Sequence, residues 1–334
     1  MIPDLDELLR RVRVVRLSLR RRFRGITWRE AALFDGPSGW SEFSPFLEYD
    51  DAESATWLAA AIDFGWQDTP PALRTHIPVN ATVPAVPARE VATVLAEYPG
   101  SRTAKVKVAE PGQTLADDLA RVRATRESLG PEANIRIDAN GLWSVEQAER
   151  ALEVLAPYRL EYVEQPCSTV DELAILRTRL AGLGVLIAAD ESVRKAADPL
   201  AVARRGAADI LVVKAQPLGG VRAALRIVAE AGLPAVVSSA LDTSVGIAMG
   251  AALAAALPSL EHDCGLGTVA MFERDVTRAP LLPQNGAIHA GRPVPDSETL
   301  QALAAPPERV QWWIERIRRC YSLLPVTGKD APER

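Results

Sequence analysis

Apolar positions along this chain follow two regimes that meet near residue 75. Over residues 11–47 they alternate with polar ones. Val12, Val14, Val15, Leu17 and Leu19 stand among arginines, and Ile26 to Phe34 follow after a basic loop. Alternation of this kind predicts strands with one buried face. The turn Asp35-Gly36-Pro37-Ser38-Gly39 leads into Trp40-Ser41-Glu42-Phe43, which predicts a hairpin. Ala52 to Phe64 reads as a helix, and Trp66-Gln67-Asp68-Thr69-Pro70-Pro71 reads as a linker. A small α+β unit over residues 1–75 follows.

From His76 onward, short apolar runs recur between longer amphipathic stretches. The candidate strands are Ile77–Val83, Thr103–Val108, Ile135–Asp138, Leu160–Glu164, Leu186–Asp190, Ile210–Lys214, Ala235–Ser239 and Leu260–Leu266. Glu161 interrupts the fourth. Between them, Ala116–Leu129 opens with acids, Val145–Leu155 is amphipathic, and Val170–Leu180 follows a Ser-Thr capping signal. Gly220–Ala231 and Val245–Leu257 are alanine-rich and suit close packing on strands. Strands alternating with helices predict a parallel sheet, and eight of them predict a closed (β/α)8-type barrel over residues 76–276. An open doubly wound sheet is the alternative, but it gives no reason for such even spacing. After the eighth run the rhythm stops. Residues 277–297 are rich in Pro and Gly, and Pro307–Leu323 reads as a helix with Trp312, Trp313, Ile317 and Leu324 as contacts. Residues 277–334 are expected to pack back on the N-terminal unit, with Pro325 to Arg334 as a frayed tail.

A length of 334 residues suits a large domain joined to a small one. Apolar content of 48% and charged content of 24% are those of a soluble globular enzyme. A net charge of −5 argues against a general nucleic-acid binder. No apolar run approaches the ~20 residues of a membrane span. Met1-Ile2-Pro3-Asp4-Leu5-Asp6 lacks a basic segment followed by an apolar one, so no signal peptide is expected. Cys167, Cys264 and Cys320 are odd in number and far apart, which fits reduced thiols in a cytoplasm better than a zinc site or a disulfide framework.

The candidate chemistry lies at the strand ends. The third, fourth and fifth candidate strands finish in Asp138, Glu164 and Asp190, two equal steps of 26 residues. Carboxylates at the C-terminal ends of consecutive parallel strands converge above the sheet, and their repulsion calls for a bound cation. Strand alternation turns Lys105 and Lys107 to one face, and Lys214 ends the sixth candidate strand. Three acids then sit between two cationic walls. All-oxygen ligands favour a hard ion such as Mg²⁺, and a neutral lysine is a natural base for a proton α to a carboxylate. Lys105 beside Lys107 is expected to lower a lysine pKa.

Lys105-Val106-Lys107, Asp138-Ala139-Asn140, Glu164-Gln165-Pro166, Asp190-Glu191-Ser192 and Lys214 resemble the muconate-lactonising subgroup of the enolase superfamily. Gly39-Trp40-Ser41-Glu42-Phe43-Ser44-Pro45-Phe46, Pro217-Leu218-Gly219-Gly220 and Ser238-Ser239-Ala240-Leu241-Asp242-Thr243-Ser244 add local matches to its actinobacterial branch that forms o-succinylbenzoate. The resemblance covers nearly the whole chain. It implies a modified TIM barrel, (β/α)7β, under an α+β capping domain. It also implies a Mg²⁺-dependent syn dehydration of 2-succinyl-6-hydroxy-2,4-cyclohexadiene-1-carboxylate, a small-molecule carboxylate, on the menaquinone route. By motif position, Lys107 is the base and then the acid, and Asp138, Glu164 and Asp190 hold the metal. Lys214 would stabilise the enediolate, Lys105 would tune Lys107, and Asn140 with Glu191 would orient ligands. Arg24, in the basic loop Arg20 to Thr27, and backbone donors of Ser238 and Ser239 are candidates for the succinyl arm. The same lysines would also serve an N-succinylamino acid racemase.

Each feature has a plainer reading. A single strand-end acid is more often a helix cap or a surface charge, but three in register with lysines are not. Eight arginines between residues 10 and 24 fit a solvated strand face, a substrate cap or a nucleic-acid patch. His262 beside Asp263 would suit a hydrolase triad with Ser238 or Ser239, yet no Gly-x-Ser-x-Gly elbow is present. Gly265-Leu266-Gly267 is too short for a dinucleotide loop, and Trp312 and Trp313 read as core.

Overall fold

The computed structural model describes residues 3–195 and 198–325. The expected frayed tail, from Val326 on, lies outside the described residues. A three-stranded antiparallel sheet comes first, in the order β1 (Val12–Phe23), β2 (Ile26–Gly36), β3 (Gly39–Phe43). The second hairpin closes with Gly36 opposite Gly39, as the Asp-Gly-Pro-Ser-Gly turn predicts. The helix Asp51–Trp66, capped by the Asp50 side chain, packs on this sheet so closely that a side chain at Gly36 would strike the Gly65 carbonyl. The C-terminal helix Pro307–Ser322 completes the layer. Its Trp313 lies edge-on to Phe43 at 5.6 Å and donates to Glu30 Oε2 at 2.8 Å.

The basic stretch departs from expectation. Instead of an eight-residue loop, β1 runs through Arg20, Arg21 and Arg22 to Phe23, and the chain turns on Arg24-Gly25 alone, with φ of 49° and 80°. Pairing carries the strand across: Phe23 faces Ile26, after a register shift beyond Ser18. Arg21 is held at its guanidinium by Glu97 at 2.6 Å.

The larger sheet holds β5 (Ala81–Val83), β6 (Thr103–Lys107), β7 (Asn134–Asp138), β8 (Leu160–Glu164), β9 (Leu186–Ala189), β10 (Ile210–Val213) and β11 (Ala235–Val237), all parallel and in sequence order. β4 (His76–Pro78) pairs instead with β12 (Ala287–His289), so the expected strand Ile77–Val83 is two strands. The expected eighth strand shrinks to Cys264 and Gly265, which bridge to Val79 and Ser238 and close the barrel. Polar anchoring explains this. His262 is drawn to Glu161 at 2.7 Å and the Asp263 side chain to Thr103 at 2.6 Å, so the backbone before Cys264 leaves the ladder.

Helices cover the outside: Leu115–Leu129, Val145–Leu155, Val170–Arg179, Val221–Ala231 and Ser244–Ala256. Thr114, Ser144 and Thr169 start three of them with reciprocal capping boxes. Two short helices, Glu191–Arg194 and Ala201–Arg205, follow β9 and have no strong periodicity in the sequence. The main core lies between strands and helices, while Tyr162, Ala188, Ile210, Val212 and Val236 fill the barrel itself. Among the described residues no helix is long and apolar enough to cross a membrane.

Candidate active site

Parallel register sets three of the candidate residues side by side. Lys107 is opposite Asp138, and Asp138 is opposite Glu164, at the C-terminal ends of β6, β7 and β8. Asp190 follows β9 and Lys214 follows β10, so the two lysine walls face each other across the mouth. Lys105, Lys107, Asp138, Glu164, Asp190 and Lys214 are all buried. Lys107 Nζ donates to Asp138 Oδ2 at 2.5 Å and to Asn140 Oδ1 at 2.7 Å. Lys105 Nζ lies between two acids, 2.9 Å from Glu164 Oε1 and 3.3 Å from Asp138 Oδ2. Lys214 Nζ donates to Asp190 Oδ2. Each of the three lysine nitrogens thus lies on one of the three acids.

Burial and like charges set the titration of these groups. Burial, then the nearby Asp138, pushes Glu164 up to about 7, against the pull of Lys105. Burial opposes ionisation of Asp138 and Asp190 as well, but Lys107 and Lys214 respectively hold them well below the usual carboxylate range. The expected lysine depression is not at Lys105. Burial lowers that group, yet Glu164 and Asp138 outweigh it and carry the ammonium above its ordinary value. The depression falls on Lys214, where burial prevails over Asp190. The physical reason is neighbour sign: Lys105 meets two acids at close range, whereas Arg194 offsets the acid beside Lys214.

The chain turns sharply after two of the acids. Asn140 and Gln165 both have positive φ, 48° and 38°, uncommon for residues with a Cβ. These turns serve the acids. Asn140 N donates to Asp138 Oδ1 at 3.0 Å, and its amide donates to Glu191 Oε1 at 3.2 Å. Gln165 Oε1 accepts from the backbone of Asp190 at 3.0 Å and of Ser192 at 3.2 Å.

A small cavity of about 30 Å³ gathers Arg24, Lys105, Lys107, Asp138, Asn140, Glu164, Asp190, Lys214, Ser238 and Ser239, together with Phe23 and Thr268. Glu191 is outside this lining. Above it opens a larger hollow of about 570 Å³ walled by Arg22, Phe23, Arg24, Pro111, Asn140 and Leu142. Arg24 stacks on Phe46, 4.5 Å from the ring centre. The serine backbones are not free to bind an arm, because Ser238 N donates to Val213 O and Ser239 N to Gly265 O. Pairing with β10 uses the first donor and barrel closure the second, which leaves their side chains at the cavity wall.

Residues 14–65 match the family described as enolase N-terminal domain-like, and residues 88–297 match the enolase C-terminal domain-like family. The chain belongs to the enolase superfamily. It is 58% identical over 328 residues to an o-succinylbenzoate synthase of Mycobacterium marinum, covering 97% of this chain and 98% of that one. A Mycobacterium tuberculosis protein of the same name is 56% identical over 325 residues, at 97% and 98% coverage. The muconate lactonizing enzyme of Pseudomonas fluorescens shares the fold, with a TM-score of 0.75 at 21% identity over 88% of this chain and 98% of that one. The likeness at that identity is one of architecture.

Membership of the enolase superfamily implies use of a divalent metal. Among the described residues no three His, Cys, Asp or Glu side chains are already gathered as a cation cage; the acids lie in a row, each on a lysine. The donor set nevertheless fits a hard cation. It is all oxygen, it is buried, and burial with Asp138 beside it pushes Glu164 up to about 7. Glu191 Oε2, beside this set, is buried without a hydrogen-bond partner.

His262 belongs to the other end of the enolase-superfamily barrel. It pairs with Glu161, at the start of β8, and Glu161 also holds the fully buried Arg136 at 2.5 Å. This salt bridge explains why an acid interrupts β8, and it removes His262 from any triad with Ser238 or Ser239. Sequence reasoning missed Arg194, whose Nε donates to Asp190 Oδ1 at 3.1 Å. The i, i+4 spacing from Asp190 was the available signal, hidden because no helix was expected there.

Proposed function

We propose that this chain dehydrates 2-succinyl-6-hydroxy-2,4-cyclohexadiene-1-carboxylate to o-succinylbenzoate, in the cytoplasm, on the route to menaquinone. The observation that carries this reading is 58% identity over nearly the full length of a protein named for that product. Residues 76–276 would carry the chemistry, and residues 1–75 with 277–334 would cap it. Asp138, Glu164 and Asp190 would hold Mg²⁺, with Asn140 and Glu191 orienting them. Bound there, the ion supplies positive charge that stabilises the carboxylate dianion formed on proton loss.

The chain's own groups do the rest. As a neutral amine, Lys107 Nζ takes the proton α to the carboxylate from one face, and the resulting ammonium gives it to the hydroxyl that leaves as water on that same face, which makes the elimination syn. Its hydrogen bonds to Asp138 and Asn140 fix where that nitrogen stands. Lys105, between Glu164 and Asp138, contributes a permanent positive charge below it. Lys214 faces the opposite side of the ring and balances the enediolate electrostatically. The hollow beneath Arg22 and Arg24 has the room for the succinyl carboxylate, and its two arginines with Lys107 outnumber the one acid on its wall, Glu110. Phe23 lines that hollow together with Lys107, whose Nζ lies 5.6 Å from the ring centre.

Lysines on both faces also suit racemisation of an N-succinylamino acid, for which the lowered Lys214 would be the second base. Ultraviolet absorbance of purified protein with the cyclohexadiene carboxylate decides between them. Rapid appearance of the aromatic acid with Mg²⁺, abolished by excess EDTA, is the expected result. Absence of turnover, with N-succinylamino acids racemised instead, would replace the reaction and keep the site.

A further inference from the structure

Arg194 is buried against the acids, at 6% exposure, and uses its whole fork inside the protein. Nε donates to Asp190 Oδ1 at 3.1 Å, Nη2 to Glu191 Oε1 at 2.8 Å, and Nη1 to the Tyr49 hydroxyl at 2.9 Å. Asp190 is therefore gripped on both oxygens, since Lys214 takes the other. Tyr49 comes from the capping layer. Its ring lies edge-on to Phe46 at 5.5 Å and to Trp57 at 6.1 Å, and Lys195 Nζ sits 4.4 Å above its face. Arg316 of the C-terminal helix donates to the Tyr49 carbonyl at 2.6 Å. Beyond Arg194 the path continues through Glu191 Oε1 to the Asn140 amide, and from Asn140 Oδ1 to Lys107.

We propose that Arg194 is a positioning residue that fixes the Asp190 and Glu191 carboxylates, and that Tyr49 sets its geometry from across the interface between capping layer and barrel. The inference rests on the reading of Asp190 as a cation ligand. A guanidinium on one oxygen fixes the plane of the carboxylate, and hence the direction of the lone pairs left for a cation, more rigidly than an ammonium does. The positive charge of Arg194 itself opposes a nearby cation, so its contribution is orientation. Nothing of that kind is needed for the fold alone: the Tyr49 ring is already packed, and only its hydroxyl reaches the arginine.

Charge-conserving substitutions isolate that contribution. Isothermal titration calorimetry with MgCl₂ is to be run on the parent protein, Tyr49→Phe, Arg194→Lys and the double variant, with circular dichroism as the folding control. Arg194→Lys is expected to weaken Mg²⁺ binding about tenfold or more, and Tyr49→Phe by a smaller factor in the same direction. Tyr49→Phe should add nothing once Arg194 is lysine, because the hydroxyl acts through the guanidinium. Unchanged Mg²⁺ affinity in a folded Arg194→Lys protein would overturn the proposal, as would equal effects of Tyr49→Phe in both backgrounds. Should Arg194→Lys not fold, Tyr49→Phe decides alone, and parental affinity there overturns it. A parent protein that binds no Mg²⁺ removes the functional reading itself and this inference with it.

Discussion

Lys107 and Asp138 are the residues on which the proposed chemistry turns, because they meet at 2.5 Å on adjacent strands. Lys107→Ala should lower the dehydration rate at least about a thousandfold, measured as initial rates at saturating Mg²⁺, with little change in melting temperature. Glu161 makes a different prediction, since it stabilises without touching the site. Burial would raise its pKa, but His262 and Arg136 outweigh it and hold the carboxylate at about 2. A depressed folded-state pKa stabilises above the unfolded value of about 4.3 and loses that contribution as pH falls through about 2. Glu161→Gln should therefore cost about 2 kcal/mol at pH 7, and urea midpoints of variant and parent should converge on acidification. Residues of this kind differ in how legible they are. Three acids and three lysines announce themselves by position on strands. Arg194 does not, because one of its three partners, Tyr49, lies in another layer, and the use of the serine backbones depends on how the strands pair.

Elements with strong periodicity were read within a residue or two: Val145–Leu155 matches at both ends, Ala116–Leu129 starts one residue late, and the helix after the Ser-Thr capping signal starts at Val170 as expected. The basic hairpin and the eighth strand were misread for a common reason. The consecutive arginines 20–22 break the alternation and look like a loop until their cross-strand partners are known, and two bridging residues carry no pattern at all. One element contact links the layers through a helix end. Glu42 Oε2, on β3, accepts from Thr243 N at 3.1 Å and Gly246 N at 3.0 Å, and so caps the helix Ser244–Ala256 from outside. Burial and the adjacent Asp242 push Glu42 up to about 8. With its folded pKa raised, this carboxyl contributes stability that is full below about pH 4.3 and is lost as pH rises through about 8. Glu42→Gln should flatten the alkaline fall in stability between pH 6 and 9, as followed by thermal melts. At Gly246 an added Cβ would lie 2.8 Å from Glu42 Oε2, so Gly246→Ala should destabilise by about 1–3 kcal/mol in urea unfolding.

At the scale of the molecule, a ligand that binds only the folded protein raises its stability by mass action. If Asp138, Glu164 and Asp190 hold Mg²⁺, then saturating MgCl₂ should raise the melting temperature by a few degrees over EDTA, about 2.7 kcal/mol at a hundredfold excess over Kd. A melting temperature indifferent to Mg²⁺ would refute the ligand assignment. Architecture itself was legible from rhythm: seven of the eight parallel positions were found, and the two-layer plan followed from where the rhythm stopped. The joining of distant segments was less so, because Glu30 on β2 and Trp313 near the end of the chain recognise each other by packing and charge, not by any local pattern. Glu30 has its carboxylate satisfied by Arg309 and Trp313, and Tyr49 has its carbonyl held by Arg316, all from the helix Pro307–Ser322. On the ribosome, the sheet that emerges first must therefore hold its buried Glu30 on Arg16 alone, 3.0 Å away on β1, until the helix Pro307–Ser322 clears the exit tunnel, so the capping layer is begun early in synthesis and completed late.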